Sequence, residues 1–166
     1  DFQWDSVGPT VQGDLNKASP TAATDSLGSS RLSYLRGVRS MEGTTFRTRS
    51  KLLGDIINSS VVYSGKPAAG YTENGYSTFY NTNSSRTAAV YVGANDGMLH
   101  AFKDNDPTNP GDTTGGTEVW AYVPRLVMDK MYKLADTQYN SKHQFYVDGS
   151  PVVADIYDGS GVGTWR

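Results

Sequence analysis

Two histidines, His100 and His143, and a run of acids at Asp104, Asp106 and Asp112 are the side chains of this sequence best suited to proton or metal chemistry. The histidines lie far apart, and His100 sits in the apolar run Met98-Leu99-His100-Ala101-Phe102, where a hydrogen-bonded structural imidazole is expected rather than a catalytic base. A helix-loop-helix calcium loop needs oxygens at alternate positions, Gly at the sixth and Glu at the twelfth. Counted from Asp104 these places hold Asn109 and Gly115, so the pattern fails and a solvated turn is expected. Asp155 and Asp158 read likewise as hairpin-turn residues before ligands. No Gly-x-Ser-x-Gly elbow and no His-Glu-x-x-His pair is present. The absence of cysteine excludes a thiolate zinc site, a Cys nucleophile and a disulfide framework. The sequence therefore nominates no catalytic, cofactor-binding or metal-binding residue.

The candidates for binding are aromatic. Tyr71, Tyr76, Phe79 and Tyr80 stud a long polar insertion running from Lys66 to Arg86. Tyrosine offers a large contact area at little entropic cost. The same rings could equally belong to a loop that covers a neighbouring element, and the two readings stand level. The densest basic stretch, Arg31 to Lys51, also holds Tyr34 and Phe46, but a net charge of −2 and the lack of one continuous basic block argue against a nucleic-acid partner. That stretch is expected to be a solvated strand and loop face.

The elements that must position these residues are mostly strands. Charged residues make up 19% of the chain, below the average of about 25%, and eleven Tyr and eighteen Gly fill the gap. Such a composition suits pleated strands joined by tight turns. Residues 1 to about 30 form a lead-in without a clear pattern. Ser29 to Gly37 reads as a short helix, with Gly37 in a left-handed cap. Ile56-Ile57 and Val61-Val62-Tyr63 read as two short strands or one bent strand. The clearest signal is Thr87 to Gly93, a turn at Ala94-Asn95-Asp96-Gly97, and a return strand Met98 to Phe102. A loop from Lys103 to Thr117 leads to the strand Glu118 to Val123, ended by Pro124. Arg125 to Asp136 has helical spacing, Phe145 to Gly149 and Pro151 to Tyr157 read as further strands, and Asp158-Gly159-Ser160-Gly161 as a hairpin turn. No apolar run is long enough to span a membrane as a helix.

Ser60-Val61-Val62-Tyr63, Ala89-Val90-Tyr91-Val92 and Ser150-Pro151-Val152-Val153 echo each other at spacings that fit repeated blades with an insertion. The run Val90 to Phe102, followed by Gly116-Thr117-Glu118-Val119-Trp120, resembles the blade repeat of quinoprotein-like propellers, in which a Trp packs into the seam between blades. The expected fold is all-β: a partial β-propeller, quinoprotein-like, with one or two short helices and long loops. Residues 1–166 then form part of a single propeller domain, with 1–30 as lead-in and 31–166 as blade strands interrupted by insertions at about 66–86 and 103–117. A start without Met and a stop at Thr164-Trp165-Arg166, where a partner strand should begin, lead to the expectation of a cut piece.

A narrower resemblance spans nearly the whole chain. Phe2-Gln3-Trp4, Tyr34-Leu35-Arg36-Gly37, Phe46 to Ser60, Val90 to Phe102, Ala121-Tyr122-Val123-Pro124 and Tyr146 to Pro151 together resemble the C-terminal propeller of the PilY/PilC family of type IV pilus-associated proteins. The resemblance implies an extracellular or cell-surface protein, pilus-associated at the outer membrane, that works in adhesion and pilus biogenesis without catalysing a reaction. It implies minor pilins or the pilus tip, and a surface or host-cell receptor, as partners. Self-association, or pairing with the rest of the propeller, follows from unpaired strand edges. Val38 and Val61 depart from the family pattern, which has Asp and Pro there. The family's calcium loop falls beyond Arg166, so no cofactor is expected within this chain. The rival readings are a quinone-cofactor dehydrogenase, disfavoured by the lack of a Cys pair, and an outer-membrane assembly scaffold, which would lack the blocks at Arg36-Gly37 and Gly54-Asp55.

Overall fold

The computed structural model describes residues 1–106, 108–159 and 164–166. The chain divides into two compact units. The first is made of Asp1–Ser59, Gly93–Leu99 and Tyr122–Gly149; the second is made of Ser60–Val92, His100–Ala121 and Ser150–Arg166.

Four strands form one antiparallel sheet in the order β1 (Val62–Ser64), β2 (Ala89–Ala94), β3 (Met98–Lys103) and β4 (Glu118–Tyr122). Each strand pairs with its neighbour in sequence, and β1 meets β2 with Tyr63 opposite Val90. A four-strand meander is the content of one propeller blade, so the expected fold class is met. The Asn95-Asp96-Gly97 turn joins β2 and β3 because Gly97 adopts φ +93° and the Asp96 carboxylate accepts the Met98 N–H at 3.2 Å. The inner strands carry the buried residues Val92, Met98, His100 and Ala101, whereas all five residues of β4 are exposed. Trp120 is accordingly 43% exposed, its ring 5.6 Å from Tyr91, and does not sit in a closed seam.

The first unit is richer in helix than the sequence led one to expect. Pro9 opens α1 (Pro9–Leu15), where its missing N–H costs no hydrogen bond. α2 (Gly28–Leu35) begins where the Asn16 side chain accepts the Gly28 N–H at 2.8 Å, and a Cβ at Gly28 would collide with the Trp4 ring. The expected helix at Arg125 to Asp136 is broken into α4 (Arg125–Met128) and a 3-10 helix (Met131–Ala135), followed by a second 3-10 turn at Tyr139–Ser141. Between them in sequence, in the second unit, α3 (Tyr76–Thr82) occupies the insertion that reads as a loop. The helices α1, α2 and α4, the 3-10 helix at Met131–Ala135 and the loop carrying Phe46 bring Leu15, Leu32, Phe46, Val127, Met131 and Leu134 into one core. Each such side chain stabilises the fold by roughly 1.5–3 kcal/mol relative to exposure.

Two further expectations are corrected. Ile56-Ile57 forms no strand; both side chains are exposed, and the preceding Asp55 carbonyl accepts the Asn95 N–H of the turn at 3.0 Å. Residues 145–149 and 151–157 are irregular apart from a single antiparallel bridge between Tyr157 and Trp165. Of the turn expected at Asp158 to Gly161, Ser160 and Gly161 lie outside the described residues.

The basic stretch is a solvated face only in part: Arg36, Arg39 and Lys51 are exposed, but two of its arginines turn inward. Arg31 is buried and donates to the Leu15 carbonyl at 2.8 Å and to both oxygens of Asp25. Arg49 is buried as well; it binds Glu42 at 2.7 Å and the Tyr34 carbonyl at 2.8 Å, with its guanidinium 3.6 Å from the Tyr34 ring. Burial works against ionisation of Glu42, yet the Arg49 hydrogen bonds outweigh it and hold the carboxyl below its usual range. These arginines satisfy helix-end and loop carbonyls that would otherwise lack donors.

Candidate functional site

The aromatic insertion folds into a ring cluster within the second unit. Gly75, at φ +85°, turns the chain into α3, and the spacing of Tyr76, Phe79 and Tyr80 along that helix follows its 3.6-residue period. Tyr76 is 4% exposed; its hydroxyl accepts the Ala69 N–H at 3.0 Å and donates to Asp155 Oδ2 at 2.8 Å. Burial and then the Asp155 carboxylate push its phenol above the usual value. Tyr71 is 44% exposed and lies on the Trp165 ring, with centroids 5.1 Å apart and planes 23° apart. Trp165 is the hub. Tyr76 meets it edge-on at 4.8 Å, Tyr157 at 5.2 Å and Phe79 at 6.3 Å, and its indole N–H donates to the Asn74 carbonyl at 3.2 Å.

Three of the four nominated residues, Tyr71, Tyr76 and Phe79, are therefore brought together. Tyr80 is half-buried on α3 and makes none of these ring contacts among the described residues. The sequence reading missed Trp165, Tyr157 and Asp155. They come from a distant part of the chain: backbone hydrogen bonds between Ile156 and Arg166 and between Asp158 and Thr164 pair the two segments, and the Tyr76–Asp155 and Trp165–Asn74 bonds set them against α3 and the residues before it. Asp158 accepts the Thr164 N–H at 3.1 Å and hydroxyl at 2.8 Å and pairs with Arg166 at 3.2 Å, as a turn residue should. Asp155 instead anchors Tyr76.

In the first unit, the hairpin turn is clasped by polar contacts. The Asn95 side chain donates to Asp55 and accepts the Tyr146 N–H; the Asp96 carboxylate accepts the Gly54 N–H at 2.8 Å. His143 Nε2 lies 3.0 Å from the same Asp55 carboxylate. Burial raises the Asp55 pKa, but the Asn95 and His143 bonds prevail and leave it lowered. A Cβ at Gly54 would fall 2.3 Å from the Asp96 nitrogen, so only glycine allows this approach. Beside the clasp lies a cavity of about 610 Å³ whose wall includes Arg47, Arg49, Lys51, Asp55 and Tyr139. Its two buried-side cations are already occupied, Arg49 as above and Arg47 by the Leu134 carbonyl at 3.2 Å and the Tyr139 ring at 4.2 Å.

The groups suited to chemistry are tied into the structure. His100 is buried, 2.6 Å from Glu118 and stacked on Phe102. The acids of the 104–117 loop are engaged by neighbouring donors. Asp112 already accepts from the Thr114 hydroxyl and N–H, the Asp106 N–H and the Lys103 ammonium, and these bonds hold its carboxyl far below the usual range. Asp106 accepts from Thr108 and Asp104 from the Asn105 N–H. Among the described residues no group of three or more His, Cys, Asp or Glu is placed to hold a metal, and no helix is long and apolar enough to cross a membrane.

Comparison with known proteins completes the description. A family model described as the PilY1 beta-propeller domain matches residues 53–165. The chain is 42% identical over 176 residues to the type IV pilus biogenesis factor PilY1 of Pseudomonas aeruginosa strain PAK, covering 100% of this chain and 14% of that protein. It is 40% identical over 159 residues to a type IV pilus biogenesis factor PilY1 homolog of Xylella fastidiosa strain Temecula1, covering 90% of this chain and 12% of the homolog. The chain thus spans only a small part of the length of these relatives. No solved structure matches it.

Proposed function

The chain belongs to the PilY1 β-propeller family, and we propose that it serves as a non-catalytic adhesion and scaffolding module of a type IV pilus biogenesis factor at the cell surface. The observation that carries this reading is the contrast between its polar and aromatic side chains. Both histidines and the acids of the 104–117 loop are engaged in internal bonds, whereas Tyr71 and Tyr157 are exposed around Trp165. Exposed aromatic anchors over a buried supporting layer suit contact with a partner. The insertion supplies the contact. In this reading minor pilins at the pilus tip hold the protein in place, and the ring cluster meets a surface or host-cell receptor.

The reading is tested in the intact protein, expressed in a piliated bacterium. Tyr71→Ala together with Tyr157→Ala should reduce surface attachment while the number of surface pili stays unchanged. Attachment at the parental level would remove the ring cluster from the adhesive role. A His100→Gln variant tests the non-catalytic half, and should support attachment and piliation as the parent does.

A further inference from the structure

We propose that the cavity beside the clasp in the first unit is an anion site that takes a carboxylate on an apolar stem, from an acidic peptide or a small organic acid. The segment Arg31 to Lys51, which leads into its wall, holds six basic residues and one acid, Glu42. Asp25 takes Arg31, and Glu42 takes both Arg39 and Arg49. Arg47 and Lys51 are left on the cavity wall with no carboxylate partner among the described residues. Arg47 spends only its Nε, on the Leu134 carbonyl, and the Tyr139 ring 4.2 Å away holds its guanidinium in place. Its two Nη groups make no hydrogen bond among the described residues. They form the planar fork that meets both oxygens of a carboxylate. The Lys51 ammonium, the Thr48 and Ser50 hydroxyls and the backbone N–H groups of residues 50–53 also lack an internal partner among the described residues. Free donors and cations on one wall favour an anion.

The rest of the wall selects among anions. Asp55 is engaged by Asn95 and His143, and Asp96 by the Gly54 and Met98 N–H groups. Their charge opposes a doubly charged phosphate or sulfate more strongly than a singly charged carboxylate. A cationic ligand would find both acids already bonded and would be repelled by Arg47 and Lys51. Leu35, Leu52, Leu53 and Leu134 give the stem an apolar surface, and Leu52 is 48% exposed. The cavity volume of about 610 Å³ suits a ligand of this kind, since small-molecule sites span roughly 300–1,000 Å³. The fixed guanidinium spares the ligand part of the entropy of ordering it. The site does not depend on the aromatic insertion being adhesive.

The test titrates the purified intact protein by calorimetry in dilute salt with three probes: the blocked peptide acetyl-Leu-Glu-Leu-Leu-amide, sodium butyrate and inorganic phosphate. The peptide or butyrate should bind saturably with a Kd of roughly 0.1–1 mM, and phosphate more weakly than either. Replacing the peptide's Glu by Gln, or butyrate by butyramide, should weaken binding about tenfold. Lys51→Gln, at an exposed side chain, should weaken it about fivefold. Lys66→Gln removes the same charge away from the cavity and should leave the affinity unchanged. Arg47→Lys keeps the charge without the fork and should weaken binding about tenfold; circular dichroism matching the parent shows that this variant is folded. Binding of butyrate alone assigns the site to a free organic acid, and binding of the peptide assigns it to an acidic segment. Silence with both carboxylates overturns the proposal. So do equal affinity for the neutral analogues, parental affinity in Lys51→Gln, an equal loss in Lys66→Gln, or tighter binding of phosphate.

Discussion

The side-chain amide of Asn95 donates to Asp55 Oδ2 at 3.0 Å, and this bond helps tie the blade hairpin to the segment that precedes the sheet. Asn95 is 1% exposed, and its oxygen takes the Tyr146 N–H at 3.0 Å, so both ends of the carboxamide are used. Asn95→Ala leaves the Tyr146 N–H buried without a partner, and the expected loss is about 1–3 kcal/mol. Asn95→Asp sets a second carboxylate against Asp55. It should be the less stable of the two at neutral pH and should regain part of the loss as acid protonates the pair. Urea unfolding at two pH values measures both, and an Asp variant as stable as the parent at neutral pH would sink the assignment.

A second prediction concerns acid. The Arg31 side chain holds the Asp25 carboxyl below its ordinary value, mainly through its hydrogen bonds. A carboxylate with a depressed folded pKa contributes stability above its unfolded value, 3.8 here, and that contribution fades as pH drops toward the folded value. The parent should therefore lose stability below about pH 4 more steeply than Asp25→Asn. Thermal midpoints measured between neutral and strongly acid pH give the comparison; parallel curves would show that the pair is not linked to folding.

Glycine position supplies a third. Gly97 and Gly116 both adopt left-handed backbone, at φ +93° and +78°. A Cβ at Gly116 meets nothing within 4 Å, whereas one at Gly97 meets the Met131 side chain at 2.9 Å. Gly116→Ala should cost only the backbone strain, about 1 kcal/mol, and Gly97→Ala distinctly more. Equal losses in chemical denaturation would count against the tight seating of the turn.

The core offers a plain contrast. Phe46 is 1% exposed in the centre of the first unit's core, whereas Leu126 is 90% exposed. Phe46→Ala should cost about 3–5 kcal/mol through lost burial and the cavity left behind. Leu126→Ala should stay within about 0.5 kcal/mol of the parent. Calorimetric melting of the two variants checks the ranking.

The blade hairpin, β4 and α2 are legible in the sequence because their signals are local: an Asn-Asp-Gly turn between β-branched runs, a Pro at a strand end, a Gly after a short apolar helix. α1 carried a readable mark in Pro9, and α3 another in the spacing of Tyr76, Phe79 and Tyr80. Both were hidden by neighbouring Gly, Asn and Ser, which read as loop. Ile56-Ile57 has strand propensity, yet Asp55 and Gly54 on one side and Ser59 on the other are bonded to the hairpin turn and to Gly93. Tertiary bonds override propensity there. Trp165 could not be linked to Tyr71 from sequence, since nothing local reports a ring stack between residues so far apart. The interior roles of Arg31 and Arg49 escaped for the same reason: charge in a sequence does not say which carbonyls it will meet.

Folding order follows from the two bonds of Asn95. The hairpin closes on itself within microseconds once its turn forms, whereas Asp55 and Tyr146 lie 40 and 51 positions away along the chain. Closing loops of that length costs entropy that only late, long-range packing recovers. The hairpin is thus a template in place before its neighbours arrive, and the clasp belongs to the final steps. Weakening the clasp should speed unfolding and leave refolding nearly unaltered, which a chevron plot of Asn95→Ala reads directly. A refolding arm slowed in proportion to the lost stability would move the clasp into the transition state.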